Sequence, residues 1–261
     1  MEYLMTYGWA ILIIAVVLGA LFQLGVFNSS SFSPRAPPGA CQVFRPGGPG
    51  TVTNINLMGV CMGQLPQYVA KFDGQSGYIS TALKRTTTSF SFTFWAYPIL
   101  APSSPACPMF IGEYNQNWWG ICYGSSGFQT YTPTTSAISA PINSWHFVAV
   151  TNDGTTITLY VNNQKTTLGG NLQNANNVFY IGYVSGGNPY FKGSIANVQF
   201  YNSSLSANEI QAMYLGGIGG APFVLQNLMG WWPLNGNAND YSGNNNNGVP
   251  TNVVFTSQYG K

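Results

Sequence analysis

The sequence predicts a mainly β protein: an antiparallel β-sandwich preceded by one N-terminal hydrophobic α-helix. Three observations carry that expectation. From about Gln64 onward apolar side chains alternate with polar ones, the period of a strand with one buried face. In that region only Ser206-Ala-Asn-Glu209 has the form of a helix start, and the first 27 residues hold a long uncharged apolar run. Composition agrees. The 261 residues are enough to bury a sizeable core, and 45% of them are hydrophobic. Only 5% are charged, against roughly 25% in ordinary soluble domains. Solubility must therefore come from neutral polar groups, among them 26 asparagines. The eight basic residues are scattered from Arg35 to Lys261, so they form no Lys/Arg stripe, and nucleic acid is excluded as a partner.

Residues Trp9 to Phe27 are apolar apart from Gln23, a stretch long enough to cross a bilayer, which takes about 20 residues. The flank before it is acidic, Glu2, without the basic start of a secretory signal peptide. Residues 1–27 are thus expected to form a transmembrane helix, with the lipid bilayer as partner. Its opening run, Met1-Glu-Tyr-Leu-Met-Thr-Tyr-Gly-Trp-Ala-Ile-Leu-Ile-Ile-Ala-Val-Val17, resembles the class III signal peptide of archaeal type IV pilin-like proteins. That resemblance implies cleavage of a short basic leader ahead of Glu2. It also implies pilin-like self-assembly, in which Glu2 pairs with the terminal amine of a neighbouring subunit. The positive-inside rule, applied to Arg35 and Arg45, would place the downstream chain in the cytoplasm. The cysteines argue for the outside.

Residues 28–63 read as a Ser/Pro/Gly-rich stalk, with Asn28-Ser-Ser-Ser-Phe-Ser-Pro-Arg-Ala-Pro-Pro-Gly39 and Arg45-Pro-Gly-Gly-Pro-Gly50 as semi-rigid spacers. The four cysteines, Cys41, Cys61, Cys107 and Cys122, lack the spacing of a zinc site. Cys107 and Cys122 bracket two apolar runs around Asn115-Gln-Asn117, which reads as a hairpin that brings its ends together. A disulfide there would stabilise by about 3 kcal/mol in the chain-entropy treatment. Cys41 then pairs with Cys61 by elimination. Disulfides require an oxidising compartment, so the domain is expected outside the cell. Asn28-Ser-Ser30 and Asn202-Ser-Ser204 are N-glycosylation acceptor patterns.

Residues 64–261 form the sandwich. Ser89-Phe-Ser-Phe-Thr-Phe94 places three phenylalanines on one face and hydroxyls on the other. His146–Thr151 and Thr155–Val161 flank the turn Asn152-Asp-Gly154 as a hairpin. Val178–Val184 and Gly193–Tyr201 continue the series, and the helix that opens at Ser206 stops at Gly216-Gly217. The motifs Lys71-Phe-Asp-Gly-Gln-Ser-Gly-Tyr-Ile79, Phe92-Thr-Phe-Trp-Ala96, Ser144-Trp-His-Phe-Val-Ala-Val150, Leu159-Tyr-Val-Asn162, Phe191-Lys-Gly-Ser-Ile195 and Leu205-Ser-Ala-Asn-Glu-Ile210 follow in order. In that order they resemble the LamG-like, concanavalin A-like jelly roll. Gly230-Trp-Trp-Pro-Leu-Asn-Gly-Asn-Ala-Asn-Asp-Tyr-Ser-Gly243 resembles the segment that normally begins such a domain, yet here it comes late. A circular permutation explains this order, and a truncated second repeat is the alternative.

Related jelly rolls include glycan hydrolases, which need two carboxylates about 5 to 10 Å apart. Glu113, Asp153, Asp73, Asp240 and Glu209 are isolated in the sequence, and His146 sits in a core-flanking strand. The expectation is a binding protein, not an enzyme, with no cofactor. Calcium is the ion that the resemblance implies, held by Asp240 and Ser242 of the Asp-x-Ser-Gly loop with help from Asp73. Against it, Ala196-Asn197 stands where the resemblance expects an acidic pair. For a ligand, Trp118 and Trp119 with Tyr114, Tyr123 and Tyr131, beside the amides of Asn115 and Asn117, offer flat rings and hydrogen bonds suited to sugars. The alternative is that one of Trp118 and Trp119 faces the core while the other merely shields it. The function expected is cell-surface adhesion or recognition of a polysaccharide or glycoprotein. The alternative is a structural pilin-like subunit, and a glycan hydrolase is the distant third.

Overall fold

A computed structural model describes residues 11–19, 41–44, 52–55, 66–83, 87–113, 116–131, 134–170, 178–184 and 190–259; within 41–44, 52–55, 112–113 and 116–118 it describes the backbone alone. The chain divides into two compact units, residues 1–35 and 36–261. In the first, helix α1 covers 11–19 and leaves Ile11, Val16 and its other large apolar side chains exposed. Among the described residues no helix is long and apolar enough to cross a membrane. The remainder of the expected 1–27 span, Glu2 included, lies outside them, as does Asn28.

In the second unit, β1 (Cys41–Phe44) and β2 (Val52–Ile55) pair antiparallel. The stretch read as a stalk thus carries a strand pair, because two short runs containing Val, Phe and Ile flank its Gly/Pro segment and satisfy each other's backbone. Cys61 is outside the described residues.

The sandwich follows. Its elements are β3 (Val69–Asp73), β4 (Tyr78–Thr81), β5 (Phe90–Pro98), β6 (Ala106–Glu113), β7 (Gln116–Gly124), β8 (Gly127–Tyr131), β9 (His146–Asn152), β10 (Thr156–Val161), β11 (Gln164–Gly169), β12 (Phe179–Ile181), β13 (Lys192–Tyr201), α2 (Ala207–Gly216), β14 (Leu228–Trp232), β15 (Gly248–Thr251) and β16 (Val254–Thr256). One sheet has the order β11-β10-β9-β5-β13-β3-β16, with β14 also on β13, and the other β15-β4-β12-β6-β7-β8. The late segment feeds both sheets. β14 lies along Val198–Tyr201 of β13 while β3 lies along Lys192–Ile195, so the two share one flank of that strand. β15 then edges the smaller sheet on β4, and β16 edges the larger one on β3.

Between the sheets lies an aromatic core in which Phe90, Phe92, Phe94, Trp119, Phe179, Phe200 and Trp232 are all buried. A second apolar layer covers the outer face of the larger sheet, where Ile210, Met213 and Tyr214 of α2 pack over Trp95, Phe147 and Tyr201. This changes the reading of β5. Alternation predicts a half-buried strand, but all nine of its residues are buried, because α2 and its lead-in seal the hydroxyl face. Ser91 Oγ donates to Ser203 O and accepts from the Leu205 amide, so its polarity is satisfied. α2 itself starts at the capping box read from sequence: Ser206 Oγ accepts the Glu209 amide while the Glu209 carboxylate accepts the Ser206 amide. It ends at Gly217, whose φ of 76° few side chains tolerate.

Candidate functional site

The smaller sheet has a face that the core does not use. Ile79, Phe179 and Ile181 point inward. Their neighbours Tyr78 on β4 and Tyr180 on β12 therefore point outward, and the β4–β12 register, Tyr180 opposite Ser80, sets them side by side. After β12 the chain turns at Gly182, φ 87°, whose amide donates to Pro108 O. Only glycine fits there, since a Cβ would lie 2.3 Å from the Phe72 ring. The turn carries Tyr183 onto the outer face, and Tyr190 joins it where the Phe191 amide returns to Gly182 O.

Four rings result. Tyr183 and Tyr190 stack at 4.6 Å and 20°, Tyr78 lies 5.3 Å from Tyr183, and Tyr180 meets Tyr78 and Tyr183 edge-on at 6.2 and 5.8 Å. All four are half-buried, so each keeps ring surface in water. Burial first, then the neighbouring Tyr183 through its charge and its hydrogen bond, and after it Tyr78 and Asp73, pushes the Tyr190 hydroxyl pKa up.

Beside the rings is the β3–β4 turn. Asp73 Oδ1 accepts the amides of Gln75, Ser76 and Gly77, and Oδ2 accepts the Ser76 hydroxyl, which in turn accepts from Asn252 Nδ2. Burial is the largest single influence on Asp73 and raises its pKa, but the four hydrogen bonds together outweigh it and hold the carboxyl well below the usual carboxylate range. The floor continues across the sheet through the register Tyr180–Phe110–Gly120–Tyr131. Under it the Cys107–Cys122 disulfide clips β6 to β7, and both sulfurs are buried with Phe110 and Val184 against Tyr131 and Tyr180. A cluster of fixed ring faces beside hydroxyls and an amide can stack the C–H face of a sugar and hydrogen-bond its rim.

The sequence profile of the concanavalin A-like lectin/glucanases superfamily matches residues 73–211, more than half of the chain. The chain belongs to this superfamily. Two solved structures share its fold. A protein of Bacteroides ovatus, assigned as carbohydrate binding, aligns with TM-score 0.57 and 17% identity over 74% of this chain and 60% of that one. The heptameric SAP-like pentraxin of Limulus polyphemus aligns with TM-score 0.52 and 11% identity over 73% of this chain and 94% of that one. The chain thus spans 60% of the length of the Bacteroides protein. No curated protein matches it.

Set in this lectin/glucanase fold, the aromatic residues picked out in the sequence separate. Trp119 is 2% exposed and packs on Phe90 and Phe92 between the sheets. Tyr123 is also buried, on Phe128, and donates its hydroxyl to Ala140 O at 2.7 Å. Both are corrections: the register of β7 sends these alternate residues inward, so neither offers a ring to a ligand. Tyr131 lies half-buried on the outer face. Tyr114 and Asn115 and the side chains of Asn117 and Trp118 are outside the described residues. Asn202 is half-buried in the turn after β13, where its Oδ1 accepts from Thr87 Oγ1.

The four tyrosines were missed because they come from separate segments. Their only trace was the outward phase of Tyr180 in the alternating run Val178–Val184, and of Tyr78 beside inward Ile79.

The residues read as calcium ligands are engaged within the protein, Asp73 in the β3–β4 turn and Asp240 in the loop after β14. Asp240 Oδ1 accepts the Trp231 and Ser242 amides and Oδ2 accepts that of Asn246, which pins its loop to β14. Asn197, at the position where the resemblance expects an acid, has a neutral amide that accepts from Gln199 Nε2 and Trp231 Nε1 and donates to Gly220 O. Indole and amide hydrogens aimed at Asn197 Oδ1 repel a cation, and among the described residues no three His, Cys, Asp or Glu side chains gather. The residues present do not fit that ion.

His146 is 1% exposed, with Nε2 2.8 Å from Pro141 O and Nδ1 3.2 Å from Asn162 Nδ2. A carbonyl only accepts, so Nε2 carries the proton and the ring is a neutral brace.

Proposed function

We propose that the protein is an extracellular, non-catalytic glycan-binding domain that its N-terminal apolar segment anchors at the cell surface for adhesion. The observation that carries this reading is the cluster of Tyr78, Tyr180, Tyr183 and Tyr190, four rings held at fixed angles with surface left in water. Membership of the lectin/glucanase superfamily supports it, as does the fold shared with the Bacteroides protein assigned as carbohydrate binding. The non-catalytic reading is supported by the four acidic side chains among the described residues. Asp73, Asp153, Asp240 and Glu209 each accept main-chain amides of their own turn, loop or helix cap. The anchor rests on the apolar run Trp9–Phe27 and the Pro-rich segment after it.

The test is a glycan array probed with the full chain, followed by calorimetry on the retained sugars. Tyr183→Ala and Tyr190→Ala are expected to weaken binding about tenfold each, one lost stacking contact apiece. An array that retains nothing, or two variants with wild-type affinity, overturns the reading. A second reading, a subunit polymerised through its N-terminal helix, is favoured by Glu2 at the head of the apolar run. Recovery of the native protein in sheared filaments, with a terminus processed ahead of Glu2, would establish it. Retention in membranes favours the single anchor.

A further inference from the structure

The opposite face of the sandwich carries a second aromatic feature. β14 sends Trp232 into the core, fully buried, and its neighbour Trp231 outward to the α2 side, half-buried. The loop that follows folds back on this strand through a dense set of hydrogen bonds. Asp240 takes the Trp231, Ser242 and Asn246 amides, Asn244 and Asn246 donate their side-chain amides to Leu228 O and Met229 O, and Asn247 Oδ1 accepts the Asp240 amide. A loop tied this way is rigid.

At its crest sits Tyr241. The fold needs its main chain, since its amide donates to Trp231 O at 2.8 Å. Its ring is 54% exposed and touches the fold only by its edge, standing edge-on to Trp231 at 6.1 Å and 65°. Even so the ring is fixed, because Asn237 Nδ2 donates to its hydroxyl at 3.1 Å and the Trp231 indole N–H is committed to Asn197 Oδ1 at 2.9 Å. Leaving the rest of a large ring exposed in a tied loop gains little for folding, whereas it removes the ordering cost of stacking a ligand. In the same loop Asn239 and Asn245 are exposed, whereas the Asn244 amide is already given to Leu228 O and Ser242 Oγ. Asp240 is the only charged residue from Leu215 to Gly260, and both its oxygens are turned onto main-chain amides.

From this geometry we infer that Tyr241 and Trp231 form a second glycan contact, for uncharged sugars, on the face opposite the tyrosine cluster. It rests on the reading of the domain as glycan binding, and it adds that one copy engages two sugar segments at once. Residues 215–260, which build this face of the loop, offer an anionic polysaccharide no Lys or Arg. An uncharged pyranose finds a ring, an edge-on indole behind it, and amides that donate and accept.

Affinity electrophoresis of the full chain in neutral detergent, through gels containing soluble glucan, mannan, galactan or alginate, reads this directly. The three neutral polysaccharides are expected to include one that retards the wild type, and alginate is not expected to retard it. In that gel Tyr241→Ala and Tyr183→Ala each weaken apparent affinity about threefold to tenfold, the double variant migrates as in a blank gel, and Tyr241→Phe, which keeps the ring but loses the Asn237 bond that holds it, falls between wild type and Tyr241→Ala. Tyr241→Ala is expected to melt with the wild type, because its ring is on the surface. If Tyr241→Ala runs as the wild type while Tyr183→Ala runs free, the second contact is overturned and the first stands. If the reverse holds, the tyrosine cluster is the one that fails. Retardation by no neutral polysaccharide, or by alginate above all, overturns this proposal.

Discussion

Trp119 decides between a surface reading of the β6–β7 hairpin and a core reading, because a ligand-stacking ring and a core ring respond oppositely to the same substitution. Its side chain is 2% exposed, with ring centroids 5.1 Å from Phe90 and 5.9 Å from Phe92. Truncation to alanine removes the buried area and leaves a cavity, which costs about 3–5 kcal/mol for a buried tryptophan. The two ring contacts account for about 1–3 kcal/mol of that. For a domain of about 200 residues each kcal/mol lowers Tm by about 2–4 °C, so Trp119→Ala is expected to melt about 6–20 °C early. Trp119→Phe behaves differently. The indole Nε1 is buried and makes no hydrogen bond, so its removal relieves an unsatisfied donor that costs about 1–3 kcal/mol. That relief offsets most of the lost area, and Trp119→Phe should stay within about 1 kcal/mol of wild type. Urea unfolding of the full chain followed by circular dichroism measures all three proteins. If Trp119→Ala unfolds at the wild-type urea concentration but loses glycan retention, the ring is a surface ligand contact and the core reading is refuted.

Three further outcomes are expected. Burial holds the His146 pKa below its ordinary 6.5, opposed only in part by its bond to Pro141 O. The unfolded chain then takes up the proton first, so stability is full above about pH 6.5 and falls as pH drops below it; melting between pH 8 and 5 should show this slope, flattened in His146→Asn. Asp240→Asn turns an amide N–H₂ toward one of the three main-chain donors that the carboxylate now accepts, an unsatisfied contact of about 1–3 kcal/mol, and hydrogen exchange at Trp231, Ser242 and Asn246 should quicken. Replacing Cys107 and Cys122 together by alanine opens a loop of sequence separation 15 and lowers stability by about 3 kcal/mol in the chain-entropy treatment, with a weaker sugar-binding face because Tyr131 and Tyr180 pack on that clip; thermal melting and the glycan array read the two effects.

Local patterns were legible where a local rule governs them. The hairpin turn at Asp153 forms as its sequence says, with Oδ1 accepting the Thr155 and Thr156 amides and Gly154 at φ 98°. The capping box of α2 and its stop at Gly217 are equally local. Alternation along β5 placed Phe90, Phe92 and Phe94 on one face, and they are the centre of the core. It did not reveal that α2 would bury the other face as well, since that depends on an element more than 100 residues away. Asp240 and Asp73 were read as ion ligands from their motifs, and their carboxylates instead hold loops in shape.

What the sequence determined by itself is therefore the class of the domain: alternating strands, turn residues that accept positive φ, one capped helix and too few charges for any electrostatic partner. Which face of each strand looks inward was decided only by tertiary structure, because period two separates the faces without naming them. Trp119 and Tyr123 went to the core on that account. Tyr78, Tyr180, Tyr183 and Tyr190 went to the surface, and they became one site only through the β4–β12 register and the sharp turn at Gly182. Tyr78 lies more than 100 residues from the other three, beyond the reach of any local pattern, so strand pairing brings it to them and the Gly182 turn completes the site.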